Sequence, residues 1–269
     1  MTIICVTCGV ETGPQPPATC PICADERQYV PANGQRWTSL DELQDSDQQI
    51  KISELEPDLW GLNAPGHGIG HTALVVRSGD DVVLWDPIGY LDDETVEFVR
   101  GLGRAKAVIA SHPHMYGVQI EWGAVLDAPV LINARDQQWV QRQDDRLELV
   151  DGTVQLLPDL VLHRLGGHFA GSQVLEWTSG ADGRGTLLAS DTIGVNPDRK
   201  TVAFLRSYPN RIPLSAEVTM RLARDVQDMH FDRCVNNFGG VLDTDAKEAI
   251  MRSAERHVAW VTGANDADC

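Results

Sequence analysis

No stretch of this chain approaches the run of about eighteen apolar residues that a membrane-spanning helix requires, so a helical membrane protein is not expected. The opening Met1-Thr-Ile-Ile-Cys5 lacks a basic segment ahead of an apolar core and lacks a small-residue cleavage signal, and the expected location is the cytoplasm. Positive charge is also scarce: 22 Lys and Arg face 39 Asp and Glu, a formal net charge of −17. A surface of that sign repels phosphate backbones and anionic lipid, which argues against nucleic acid or a membrane as partner and for a small-molecule substrate. Arg199, Lys200, Arg206 and Arg211 are the nearest approach to a basic group and read as a solvated face. Beyond residue 23 only Cys234 and Cys269 remain of the six cysteines, and neither has a partner at ligand spacing. One reads as a small buried residue and the other as a terminal one. There is no repeat and no low-complexity tract, and 269 residues suffice for a core that needs no disulfides.

What is present falls into three parts. Residues 1–36 are rich in Cys, Pro and Gly with little periodicity, the composition of a small module held by something other than a core. Residues 37–57 read as a short helix, opened near residue 40 by the capping-box spacing of Ser39 and Glu42, followed by a polar linker. From 58 to 269 short apolar runs alternate with turns and helical stretches. Strands are expected at Thr72–Arg77, Asp81–Asp86, Lys106–Ser111, Leu160–Leu165, Gln173–Thr178, Gly185–Ser190 and Thr201–Leu205. Helices are expected at about 92–102, 135–142, 214–229 and 244–261, the last capped by Asp243 or Thr244. The order is mixed α/β without strict βαβ alternation, which favours a layered sandwich over a doubly wound sheet.

Cys5-Val-Thr-Cys8 and Cys20-Pro-Ile-Cys23 are two CxxC pairs eleven residues apart. That spacing lets two tight knuckles set four thiolates around one ion. In a reducing compartment the disulfide reading falls away and metal is favoured: structural zinc first, a rubredoxin-like iron site or redox cysteines behind it. A closed four-thiolate site has no open position, so its expected task is to fold the module.

Ser111-His112-Pro113-His114 leaves the end of the apolar run Ala107–Ala110, and the fixed φ of the intervening proline helps both imidazoles face one ion. A third histidine, His168, sits in the glycine-flanked turn Gly166-Gly-His168-Phe-Ala-Gly171, and Asp191 ends the run Leu187-Leu-Ala-Ser-Asp191. Three histidines and an aspartate, each at a strand end, point to a transition-metal site.

Over roughly residues 60–260 these features resemble the metallo-β-lactamase superfamily. Its signature runs from an Asp after an early strand through HxHxDH and a Gly-His to an Asp ending a later strand and a last His. The resemblance implies a four-layer αβ/βα sandwich with the small zinc-ribbon-like N-terminal module added. Asp86 matches the residue that supports the histidine loop, His112, His114 and His168 the ligands of the first ion, and Asp191 the aspartate that bridges two ions. Tyr116 and Gly117 stand where the family's Asp-His pair would serve a second ion, and Asn236 or Asn237 stands in place of the last histidine. Ser111-His-Pro-His-Met-Tyr116, Glu121-Trp122, Gly167-His-Phe169 and Ser207-Tyr-Pro-Asn210 resemble a branch of the superfamily that also carries an N-terminal CxxC module.

The expected chemistry is hydrolysis of a small-molecule ester, thioester, lactone or amide by a metal-bound hydroxide at a mononuclear site, with Zn²⁺ or, second, Fe²⁺ at the His₃/Asp set. Asp191 is a ligand or the partner of a bound water. Tyr116 is the candidate hydrogen-bond donor to the reacting group, with packing as its alternative. Glu121, on a helix after the histidine loop, is an orienting residue or a solvated surface carboxylate. His67 and His71 read as solvated loop residues, and His163, His230 and His257 as structural or surface ones. Trp60, Trp122, Trp139 and Tyr208 read as core. The competing function is a non-catalytic metal-binding or interaction protein that has lost its second ion. Oligomeric state leaves no trace in the sequence.

Overall fold

The computed structural model describes residues 2–269, which divide into two compact units, one up to Asp151 and one from Gly152. In the first, β1 (Ile3–Cys5) pairs antiparallel with β2 (Glu11–Thr12) and with β3 (Trp37–Ser39), and α1 (Pro21–Ala24) and α2 (Leu40–Gln44) are single turns. Ser39 caps α2 with the full capping box, accepting from the Glu42 N–H while Glu42 reaches back.

A seven-stranded sheet fills the rest of that unit, built from β4 (Lys51–Glu56), β5 (Leu59–Asn63), β6 (Thr72–Ser78), β7 (Asp81–Trp85), β8 (Arg104–Ile109), β9 (Val130–Asn133) and β10 (Leu147–Val150) in the order β10-β9-β8-β7-β6-β5-β4. The β4 to β7 meander is antiparallel, and β7 to β10 run parallel. Parallel strands need crossovers, supplied by α3 (Asp93–Leu102) between β7 and β8 and α4 (Gln119–Leu126) between β8 and β9. Val96 and Val99 of α3 and Ile120, Trp122 and Leu126 of α4 share a core with Val75, Leu84 and Val108 of the sheet.

In the second unit β11 (Thr153–Leu157), β12 (Leu160–Arg164), β13 (Gln173–Trp177) and β14 (Thr186–Leu188) form an antiparallel run. Two short ribbons follow, β15 (Gly194–Val195) with β16 (Val202–Ala203) and β17 (Leu205–Ser207) with β18 (Ile212–Pro213). After α5 (Ala216–Asp225), β19 (Arg233–Val235) joins β14 in parallel and β20 (Val241–Leu242) closes the edge, and α6 (Ala246–Val261) follows. Leu222 and Ala223 of α5 and Ala249, Ile250 and Ala254 of α6 cover Val174, Leu187 and Cys234.

Three local readings change. The 37–57 stretch is more than helix and linker: β3 extends the cysteine-bearing sheet and β4 is the edge of the seven-stranded one. The helix expected at 135–142 is a 3-10 turn, Ala134–Trp139, because Trp139 and Val140 are drawn into the apolar cluster around the cysteines and Val140 is already extended. At α6 the N-cap is Asp245, in the left-handed region and without a side-chain cap, and its own N–H is taken by Asp232 Oδ1 at 2.8 Å.

Strand direction places the candidate ligands. The ends of parallel β7 and β8 share one edge of the first sheet, where Asp86 and Ser111–His114 emerge. In the second sheet β12, β14 and β19 point the same way, so His168, Asp191 and Asn236–Asn237 follow strand ends on one edge.

Candidate metal centres

The four cysteines are buried, and their sulfurs lie within 4.8 Å of one another. Cys5 Sγ is 3.7 Å from Cys23 Sγ, and Cys8 Sγ is 3.8 Å from Cys20 Sγ. An ion with about 2.3 Å bonds to a tetrahedron of sulfurs sets its edges at about 3.8 Å, so the donor set fits zinc or iron. The loop is shaped for it: Gly9 N–H donates to Cys5 O at 2.8 Å, with Gly9 at φ +77°, and Ala24 N–H donates to Cys20 O at 2.9 Å. Gln35 bolts the two knuckles together, donating through Nε2 to Cys5 Sγ at 3.2 Å while its Oε1 accepts from Cys20 N–H at 3.1 Å. Hydrogen bonding from Cys20 and its neighbours holds the Cys5 thiol well below its ordinary value.

Asp86, fully buried and at φ +56°, accepts the Ser111 N–H on Oδ1 at 2.6 Å, while its own N–H donates to Ile109 O at 2.7 Å. That pins the start of the histidine loop. Ser111 Oγ meets His112 Nδ1 at 2.8 Å, which orients the ring and leaves Nε2 for an ion. His114 follows in the 3-10 turn Pro113–Met115, and the two imidazoles stand 5.2 Å apart, centroid to centroid, both buried.

In the second unit His168 Nδ1 donates to Leu205 O at 2.9 Å, so the proton sits on Nδ1 and Nε2 is presented as acceptor. The Asp191 carboxylate lies 3.8 Å from that Nε2. Tyr208 backs the pair. Its hydroxyl donates to Asp191 O at 3.2 Å, its ring stands 5.9 Å from His168, and it fills space that only a glycine at 194 leaves open.

Tyr116 is buried against the cysteine cluster, and its hydroxyl donates to Asp136 O at 3.1 Å. Burial lifts its phenol well above the ordinary range. Glu121 pairs with Arg142 Nη1 at 2.5 Å and accepts from the Thr2 hydroxyl, facing a cleft lined by Thr2, Thr12, Gln141 and Arg142, so it meets neither histidine. His71 is buried and His67 is half-buried. His71 Nε2 lies 3.3 Å from Pro87 O, and His67 is wedged beside Gly9 and Gly89, where burial lowers its pKa. His163 pairs with Glu176 at 2.7 Å, His230 Nε2 lies 3.2 Å from Gly183 O, and His257 Nε2 lies 2.9 Å from Leu214 O, all structural contacts. Asn236 organises its own turn, its Oδ1 accepting from Phe238 and Gly240 N–H. Among the described residues no helix is long and apolar enough to cross a membrane.

The fold these sheets and loops build is that of the metallo-β-lactamases. The chain superposes on the structure of VMB-1 with a TM-score of 0.60 at 13% identity, over 80% of this chain and 100% of that one. On the metallo-β-lactamase FIM-1 from Pseudomonas aeruginosa in its mono-zinc form the TM-score is 0.56 at 12% identity, over 78% and 96%. No family model matches the sequence. The chain belongs to the family of "Uncharacterized protein YmaE" of Bacillus subtilis (strain 168), with which it shares 40% identity over 260 residues, 95% of each chain.

Proposed function

We propose that the protein is a metal-dependent hydrolase that cleaves an ester, thioester, lactone or amide bond in a small molecule, with His112, His114, His168 and Asp191 acting as one donor set for a single Zn²⁺. The observation that carries this reading is made in each unit by itself: His112 and His114 are buried on the loop that leaves β8, and His168 and Asp191 are buried where β12 and β14 end, the carboxylate 3.8 Å from the imidazole. The second zinc of the reading sits among the cysteines and is structural.

An ion so held supplies Lewis acidity and yields a nucleophile from water near neutral pH. The protein's share is orientation. Ser111 and the Leu205 carbonyl hold the rings of His112 and His168 so that each offers Nε2. Asp191 would serve either as the fourth ligand or as the hydrogen-bond partner of a water on the ion, and its place 3.8 Å from His168 Nε2 suits both. Tyr116 receives no chemical part, because its hydroxyl is committed to a backbone carbonyl. Gly117 supports the single-ion reading. It is at φ +50°, and a Cβ there would lie 2.2 Å from Pro87 O, so no ligand side chain fits at the position where the resembled family places a histidine. A reducing compartment belongs to the same reading, since it keeps four thiols available for metal.

The test is metal content per chain by plasma mass spectrometry in wild type, His112→Ala and Cys5→Ser/Cys8→Ser. About two zinc ions in wild type with one lost in each variant support the reading and direct a screen toward acyl esters and thioesters. A metal content unchanged by His112→Ala overturns it and favours the non-catalytic alternative.

A further inference from the structure

Glu11 is 3% exposed and gathers three parts of the first unit. Its N–H donates to Gly117 O at 2.9 Å, its Oε1 accepts from Ile120 N–H in the first turn of α4 at 2.7 Å, and its Oε2 accepts from Arg142 Nη1 at 2.7 Å. These partners close the C-terminal side of the segment that carries His112 and His114. From the other side, Gly9 of the first knuckle rests on Gly89, where a Cβ would lie 2.3 Å from Gly9 O. Gly89 follows Asp86, the residue that holds Ser111. Between these two attachments, Met115 and Tyr116 are buried among Cys5, Cys8, Cys20 and Cys23.

The histidine segment makes few backbone hydrogen bonds within its own turn. Its turn closes with Met115 N–H to His112 O at 2.9 Å and a long Tyr116 N–H to Pro113 O contact at 3.4 Å. Its shape is therefore set by what it leans on: Asp86 at its start, Ile88 at Val118, and the knuckle along its length. The knuckle in turn has the four cysteines as its interior, so its cohesion depends on an ion. Binding free energy at one site that orders a shared element is felt at the other, and the coupling is reciprocal.

We propose that Glu11 is the positioning residue through which the four-cysteine knuckle holds the His112–His114 loop in its metal-binding shape, so that filling the cysteine site raises the affinity of the histidine site. This rests on the metal reading of the histidines, but its consequence for loop order does not. Reach, more than charge, is what the contact to Ile120 demands. Glu11→Asp keeps the charge yet falls short by one methylene, about 1.5 Å, whereas Glu11→Gln keeps the length and the oxygen that accepts from Ile120 N–H and gives up only the bond from Arg142.

The experiment uses the full-length, metal-loaded protein. Amide hydrogen exchange is followed by mass spectrometry over residues 111–120, with β13 in the second unit as reference. Cobalt(II) replaces zinc, so that thiolate charge-transfer bands report the cysteine site and ligand-field bands the histidine site during chelator titration. Glu11→Asp and Glu11→Ala are expected to quicken exchange at 111–120 about tenfold or more while β13 stays as in wild type. They should lower the chelator concentration that strips the histidine site by about 10- to 100-fold, with the thiolate bands retained. Glu11→Gln should stay near wild type in both readouts. Unchanged exchange at 111–120 in Glu11→Asp overturns the proposal, as does equal acceleration at β13, which is simple loss of stability. If wild type binds no cobalt at the histidines, the function proposed above fails, and the exchange comparison still decides the role of Glu11.

Discussion

Ser111, Asp86 and the Leu205 carbonyl do for the histidines what a scaffold must: each fixes a ring or a loop so that little order remains to be gained when an ion arrives. Glu11 shows the opposite arrangement, a carboxyl held where charge is costly. Burial pushes it up to about 7 from an ordinary 4.5, against the pull of the Ile120 N–H and of Arg142, with Glu121 adding repulsion. A carboxyl raised in the folded state favours folding through its neutral form, so its contribution is complete below pH 4.5 and is lost as pH rises through about 7. Denaturant titrations at about pH 5 and pH 8 should therefore show Glu11→Gln gaining on wild type at the higher pH, by up to about 3 kcal/mol. An equal difference at both pH values would contradict the assignment. Tyr116→Phe removes one hydrogen bond to a carbonyl and should cost about 1 kcal/mol without changing metal content. Gly89→Ala presses on Gly9 and is expected to cost about 1–3 kcal/mol, read as a shifted denaturant midpoint.

At the scale of elements, α3 offers a clean test, because Asp92 accepts the Thr95 N–H at 2.8 Å and Asp92→Ala should cost about 1 kcal/mol in the same titration. Elements of this kind were readable in advance. Strands β6 to β8 are apolar runs with turns between them, and α3 and α5 lie within the stretches expected to be helical, opening on the caps Asp92 and Ser215. The two groups of candidate ligands were readable too, since CxxC pairs and HxH spacing are local signals. Long-range docking was not. Nothing local in Lys51–Glu56, polar and mostly exposed, announces an edge strand; it is recruited by pairing with β5. Glu11 and Arg142 lie 131 positions apart and acquire meaning only when the knuckle meets α4. Likewise His67 and His71 sit in a glycine-rich loop that looks solvated until Gly9 and Pro87 are brought against it.

For the whole molecule, the net charge of −17 means self-repulsion that salt screens, so the melting temperature should rise between low salt and about 0.15 M NaCl, where the screening length falls to about 8 Å. A melting temperature that falls with salt would instead point to dominant ion pairs such as Arg77–Asp58 and Arg221–Asp225. Stripping metal with a chelator should lower thermal stability in wild type and much less in Cys5→Ser/Cys8→Ser, where the cohesion of the knuckle is already gone. Gly117 sets a limit on what the loop can become. With its backbone in the left-handed region, a neighbouring carbonyl where a side chain would begin, and its own carbonyl engaged by Glu11, the position has no room for a side chain of any kind. A side chain at this position would need Pro87, Ile88 and the strand that carries Glu11 to shift together, so the tightness of one backbone contact decides which residue types the loop accepts.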